Sequence, residues 1–315
     1  MYEERLSFRM LDALAGIGEN LINALPSTLE QGLIYAILAL GVLITYSILD
    51  FPDLTVDGSF PLGGAVSTIL VIKGMAPLPA LLLAALAGAA AGLCTGLIHV
   101  KLKVRDLFSG IIMMTALYSI NLHITGGSAL LSIPRKAVTL FRNNPAAEAL
   151  PPALSTLVLA ALVVLAVKLL MDGYMKTRAG YLLRAVGDNE TVVTALAKDK
   201  GTVKITGLMI ANALASLAGG VLCQQQRMFE ISMGTGAIVL GLASVIIGLN
   251  LFARISFVKN TTAVIAGAVI YKICVSLAIA CGLSASDLKL ITAALFLLIL
   301  STGLISKRKG AKKHA

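Results

Sequence analysis

Two carboxylates, Asp53 and Asp57, stand in the stretch Asp50-Phe-Pro-Asp-Leu-Thr-Val-Asp-Gly-Ser-Phe60, between two long apolar runs. An ionised group at membrane depth is tolerated only where it faces protein or water. Pro52 blocks helix continuation and Gly58 permits an irregular backbone. Two readings follow. The stretch is either a re-entrant element whose unwound backbone lines a cavity, or a cytoplasmic turn whose aspartates cap a helix. Asn121, Asn212, Asn250 and Lys272 are further polar residues inside apolar runs. Each is a candidate for a pore-facing position, with interhelical hydrogen bonding as the plainer alternative. With Asp53, Asp57 and Gly58, the three asparagines make the candidate substrate path.

Enzymic chemistry finds little footing. The chain contains no GxxxxGK[ST] loop, so it does not itself cradle ATP phosphates. It has no HExxH, and its histidines are His99, His123 and His314. Ser128 near His123 is the nearest approach to a nucleophile pair, and its flanks match no nucleophile pattern. Cys94, Cys223, Cys274 and Cys281 form no CxxC pair and lie in or beside apolar runs, so neither a disulfide framework nor a metal site is expected.

The elements that position these residues must be membrane helices. Of the 315 residues, 57% are hydrophobic and 13% charged, with mean hydropathy +0.90. Soluble domains carry about 25% charged residues. The apolar runs are continuous and near the ~20 residues that cross a bilayer as a helix, not the ~10-residue alternating segments of a barrel. The fold class is therefore an all-α membrane protein of about nine transmembrane helices. The spans are 29–49, 58–73, 78–98, 107–123, 153–170, 203–223, 235–251, 261–281 and 288–305. The second and fourth are short, as broken helices beside a substrate path are. Residues 1–27 carry Leu6, Met10, Leu14, Ile17, Leu21 and Leu25 at helical spacing and read as an amphipathic helix on the membrane surface. Residues 28–306 form the transmembrane domain, and 307–315 a basic tail.

The net charge of +10 does not point to nucleic acid, because Trp is absent and the cations cluster in short loops between spans. Lys101, Lys103, Arg105, Lys176, Arg178, Arg184, Arg254, Lys259 and Lys307 to Lys313 share one side. By the positive-inside rule that side is cytoplasmic, which puts the C-terminus inside and the N-terminus outside the inner (plasma) membrane. Arg135, Lys136 and Arg142 lie against this rule, in an external loop at 124–150 whose prolines suggest an ordered cap. Gly88, Gly92 and Gly96 form GxxxGxxxG, a signal for close helix packing. The segments opening at Gly58 and Gly236 echo each other faintly, as an inverted repeat would.

The longest cytoplasmic loop, 171–202, contains Lys176-Thr-Arg-Ala-Gly-Tyr-Leu-Leu-Arg-Ala-Val-Gly-Asp-Asn-Glu190. This stretch resembles the coupling loop of the ABC-importer permeases that include branched-chain amino-acid and ribose permeases. Gly180, Leu183, Arg184, Ala185, Val186, Gly187 and Asn189 match the pattern, while Lys176-Thr-Arg departs from the usual Arg-Thr order. The segment Leu49 to Phe60 looks like a subgroup linked in part to aromatic amino acids such as tryptophan. The resemblance covers about 28 to 305. It implies a non-enzymatic permease for a small solute, with a short helix that docks on a cytoplasmic ABC ATPase. It also implies a second permease copy and an extracytoplasmic solute-binding protein. No cofactor is expected in this chain, since ATP would sit on the partner. In the helix, Arg184 would pair with acidic groups and Gly180 and Gly187 would set the ends. The rival is an ion-coupled secondary transporter using Asp53 or Asp57.

Overall fold

The computed structural model describes residues 24–151, 154–188, 199–253, 255, 257–282, 290, 292–294 and 297. The chain is predominantly helical. Seven helices are long and apolar enough to cross a membrane among these residues. They include α1 (Ala24–Ile48), α3 (Pro77–Lys101), α4 (Asp106–Ile124) and α6 (Ser155–Met175). The others are α8 (Lys200–Gln226), α9 (Ala237–Leu251, entered through a 3-10 turn, Ile231–Gly234) and α10 (Asn260–Ala280). The shorter α2 (Val56–Ile72) is also apolar, α5 is a single turn (Pro145–Glu148), and α7 spans Arg178–Asp188. Eight of the expected spans thus correspond to helices within a few residues. The ninth, 288–305, lies mostly outside the described residues, as do residues 1–23 of the amphipathic segment.

Two features differ from expectation. The span expected to end at 170 continues as α6 through Met175, because Asp172 is neutralised on the helix by Lys168, 3.0 Å away. Strand structure, absent from an all-α reading, occurs as one small antiparallel pair. Strands β1 (Leu130–Ser132) and β2 (Met228–Glu230) pair Leu131 with Phe229. The Arg227 guanidinium donates to the carbonyls of Pro134 and Ala137, at 2.7 Å each, and the buried Gln224 accepts from the Leu140 amide. These bonds tie residues 130–140 onto the end of α8.

α8 is the central post. α2 and α3 pack along it, and the small residues explain how closely. A Cβ on Gly88 or Gly92 would overlap the carbonyl of Asn212 or Leu208, and one on Gly63 would overlap that of Ser216. The GxxxGxxxG stripe therefore buries backbone against backbone, where van der Waals contact supplies what the hydrophobic effect cannot supply in lipid. Leu82, Leu86, Leu162, Leu165 and Leu169 on α3 and α6 remain exposed, an apolar coat suited to lipid.

Candidate functional site

α1 closes in a π-helical turn, Leu43–Ile48, at the end of the bundle that carries α7. The chain then turns back through Asp50, whose φ of 51° is left-handed, and runs inward between the helices. It starts α2 only at Val56. Asp53 there is fully buried. Its Oδ1 accepts from the Thr55 amide at 2.9 Å, and its Oδ2 accepts from Asn212 Nδ2 at 2.7 Å. Asn212 also donates to the Leu208 carbonyl and accepts from the Ser59 hydroxyl at 2.7 Å. Every polar atom of Asn212 is thereby engaged. Asn212 lies about 18 Å along α8 from its start at Lys200, near the helix's midpoint. α2 therefore begins inside the bundle and not at a surface turn.

Asp57 faces a different helix. Its carboxylate accepts from the amides of Gly236 (3.0 Å) and Ile238 (2.8 Å), at the first turn of α9. Those amides have no intrahelical partner, and the helix dipole favours a negative charge beside them. Asp57 thus caps a helix, though in trans, and the stretch that carries both aspartates starts α2 within the bundle. Pro61 lacks the N–H that would bond the Asp57 carbonyl, and Gly234 packs against that carbonyl. The two echoed segments, opening at Gly58 and Gly236, meet here. α2 (17 residues) and α9 (15 residues) are roughly 25 and 22 Å long, each short of the ~30 Å hydrocarbon core. Helices broken at mid-depth with converging N-termini mark substrate paths in transporters.

Asn121 is buried and donates to the Gly58 carbonyl at 3.2 Å, so it joins this cluster from α4. Asn250 does not; it is exposed at the far end of α9. Replacing Asp57 by leucine is expected to uncap α9 at a cost of about 1–2 kcal/mol. Asp57→Asn retains an acceptor and should lose less. Apparent melting temperatures of the two variants in mild detergent check the order.

α7 is the part of the 171–202 loop that the structure describes, together with its flanks; Asn189 lies outside the described residues. Leu183 and Val186 are buried and Ala185 half-buried, against the π turn, Leu49 and Gly207. Tyr181 is exposed, as is Arg184, whose guanidinium lies 5.9 Å from the Tyr181 ring centre. The same helix thus has a seated apolar face and an exposed basic residue, Arg184, which also donates to the Met175 carbonyl at 3.4 Å. Gly180 and Gly187 do not end it, contrary to expectation. Both lie within α7 at negative φ, and each is a contact surface: a Cβ on Gly180 would meet the Tyr174 carbonyl and one on Gly187 the Ile48 carbonyl.

One residue escaped the sequence reading. Asp172 on α6 accepts from Lys168 and Lys259 at 3.0 Å each and from the Thr261 hydroxyl at 2.7 Å. It clasps α6 to the start of α10 beside α7. A cavity of about 460 Å³ lies there, lined by Ile48, Asp172, Arg184 and Lys259 among others. The only sequence signal was an isolated acid four residues after Lys168. Among the described residues no cluster of His, Cys, Asp and Glu is placed to hold a metal ion.

Comparison with known proteins agrees with this architecture. Residues 25–301 match the family described as branched-chain amino acid transport system, permease component. The chain is 42% identical to the tyrosine transport system permease protein of Clostridioides difficile over 282 residues, 90% of this chain and 92% of the relative. It is 31% identical to an uncharacterized protein of Rickettsia prowazekii, covering 89% and 98%. It is 28% identical to the ribose import permease protein RbsC of Escherichia coli K12, covering 72% and 69%. No solved structure matches. With a bundle of apolar helices, one of them, α2, starting inside it, and a family match over nearly its whole length, the chain belongs to the branched-chain amino acid transport system permease-component family.

Proposed function

We propose that this chain is the membrane subunit of an ATP-driven importer, forming the path for an amino acid and coupling to a separate ABC ATPase through α7. The observation that carries the reading is the two-sided seating of α7: Leu183 and Val186 locked into the bundle, Arg184 and Tyr181 presented outward. A helix so seated passes motion at its free face to the bundle as a rigid body. In this reading the α7 end is cytoplasmic, in accord with its lysines and arginines. The β1–β2 pair and the 124–150 segment then face outward, where a solute-binding protein delivers substrate. The N-terminus is external, residues 1–27 lie on the membrane surface, and nine spans are completed by 288–305. A second copy of the chain encloses the path.

An aromatic amino acid is the favoured solute, since the relative at 42% identity is named a tyrosine permease. Asp53, Asp57, Gly58, Asn121 and Asn212 are assigned to the hinge that holds α2 and α9 beside the path. Both carboxylates are occupied by internal donors, which leaves the ion-coupled alternative without a free acid among them.

Co-purification from native membranes, with mass spectrometry of what stays bound, tests the reading. A P-loop ATPase should co-elute with the wild-type chain, and Arg184→Glu should release most of it. An ATPase that never appears in mild detergent overturns the importer reading. An ATPase that stays bound to Arg184→Glu removes α7 from the contact.

A further inference from the structure

A second cavity, of about 620 Å³, lies between α1, the start of α9 and the half of α10 farther from α7. Gln31, Tyr35, Thr235, Tyr271, Lys272 and Ser276 are among its lining residues. Its size is within the range of small-molecule sites, about 300–1,000 Å³. Its chemistry is unusual for a packing defect. Lys272 brings an ammonium into a wall otherwise built of aromatic rings, hydroxyls, one amide and aliphatic carbons. Among the described residues no carboxylate forms an ion pair with it. Its nearest companions are the Tyr35 ring, 3.9 Å from Nζ to the centre, and Gln31 Oε1 at 3.5 Å. A π face and a distant amide are weak compensation for a half-buried charge.

We propose that this cavity is a solute site and that Lys272 receives the substrate's carboxylate, with the Tyr35 and Tyr271 rings flanking its side chain. The inference rests on the importer reading and deepens it. A single cation suits a monocarboxylate; a phosphate or dicarboxylate would call for a second. The rings suit an aromatic or large apolar side chain, and the neutral oxygens of Gln31, Thr235 and Ser276 suit an ammonium. The site also touches the hinge. Thr235 precedes the Gly236 amide that Asp57 caps, and the Tyr35 ring stacks on Phe60 of α2 at 5.7 Å. A carboxylate that draws Lys272 from the face of Tyr35 thus acts on residues in contact with both α2 and α9.

The test compares L-tyrosine with tyramine, which lacks the carboxylate. Binding is measured to the assembled transporter, this chain with its ATPase, in nanodiscs. The wild type should favour tyrosine by roughly tenfold or more, the worth of one charge-assisted hydrogen bond. Lys272→Met, nearly isosteric, should erase the preference, and Lys272→Arg should retain most of it. Retained ATPase binding reports that each variant is folded. Equal wild-type affinities, or an undiminished preference in Lys272→Met, would overturn the assignment. ATP-driven uptake separates this from the parent reading. If the wild type takes up no amino acid, the importer reading fails; if uptake stands while Lys272→Met keeps its preference, only the site fails.

Discussion

Asn212→Leu should destabilise the protein more than any other single change at the hinge. The substitution removes the donor to Asp53 Oδ2 and the acceptor of Ser59, and leaves a fully buried carboxylate with Thr55 alone as its partner. Stranding a buried charge costs about 3–5 kcal/mol. Asp53→Ala deletes the charge and strands a neutral amide, at about 1–3 kcal/mol. The order is the informative part. Adding Asp53→Ala to Asn212→Leu should restore part of the lost stability, because it removes the stranded charge. Apparent melting temperatures of the two single variants and the double in one detergent decide the matter. A double variant no more stable than Asn212→Leu would show that the pair does not carry the energy assigned to it.

The second large effect is functional. Leucine favours a helix over glycine by about 1 kcal/mol, so Gly187→Leu should strengthen α7 in isolation. In the protein its Cβ overlaps the Ile48 carbonyl, and backbone cannot step aside as a side-chain tip can. Overpacking of this kind costs about 1–3 kcal/mol, which shifts the seated population of α7 by roughly five- to 150-fold. Arg184, one turn earlier on the same helix and exposed, is not itself altered. The expected result is an ATPase that still co-purifies and hydrolyses ATP while amino-acid uptake falls by roughly tenfold or more. Uptake at the wild-type rate would mean that the α7–Ile48 contact is not part of the coupling.

The spans were legible because hydropathy and length are local properties, and lipid leaves few alternatives to helix. The glycine stripe at 88, 92 and 96 was legible for the same reason: spacing alone says that a helix face is bare. Its partner was not, since nothing in the run from Lys200 to Gln226 announces that Asn212 and Leu208 will offer their carbonyls to it. The Asp53 stretch was half legible. Pro52 and Gly58 betray an irregular backbone, but the depth at which α2 starts depends on Asn212, far away in sequence. Asp57 capping α9 was hidden more thoroughly, because a cap in trans has no sequence spacing at all. Gly180 and Gly187 misled for a related reason. Glycine near a helix end suggests a left-handed cap, and only the neighbouring carbonyls of Tyr174 and Ile48 reveal that bareness, not φ, is what these positions require. Asn250 had the same credentials as Asn121 and Asn212 and points elsewhere, since residue type does not encode the direction a helix face takes.

α10 runs unbroken from Asn260 to Ala280, so Thr261 in the Asp172 clasp and Lys272 are fixed to one rod, roughly 17 Å apart. Two equilibria borne on one rod are coupled to the extent that either one moves it. Whatever factor a loosened clasp applies to the affinity of a ligand at Lys272, that ligand applies to the opening of the clasp, because binding linkage is reciprocal. Lys259, 56% exposed while it holds Asp172, is thereby an optical or chemical tap on events at the opposite end of the helix. The rate at which an amine reagent labels it should change with occupancy of a cavity that the reagent never enters.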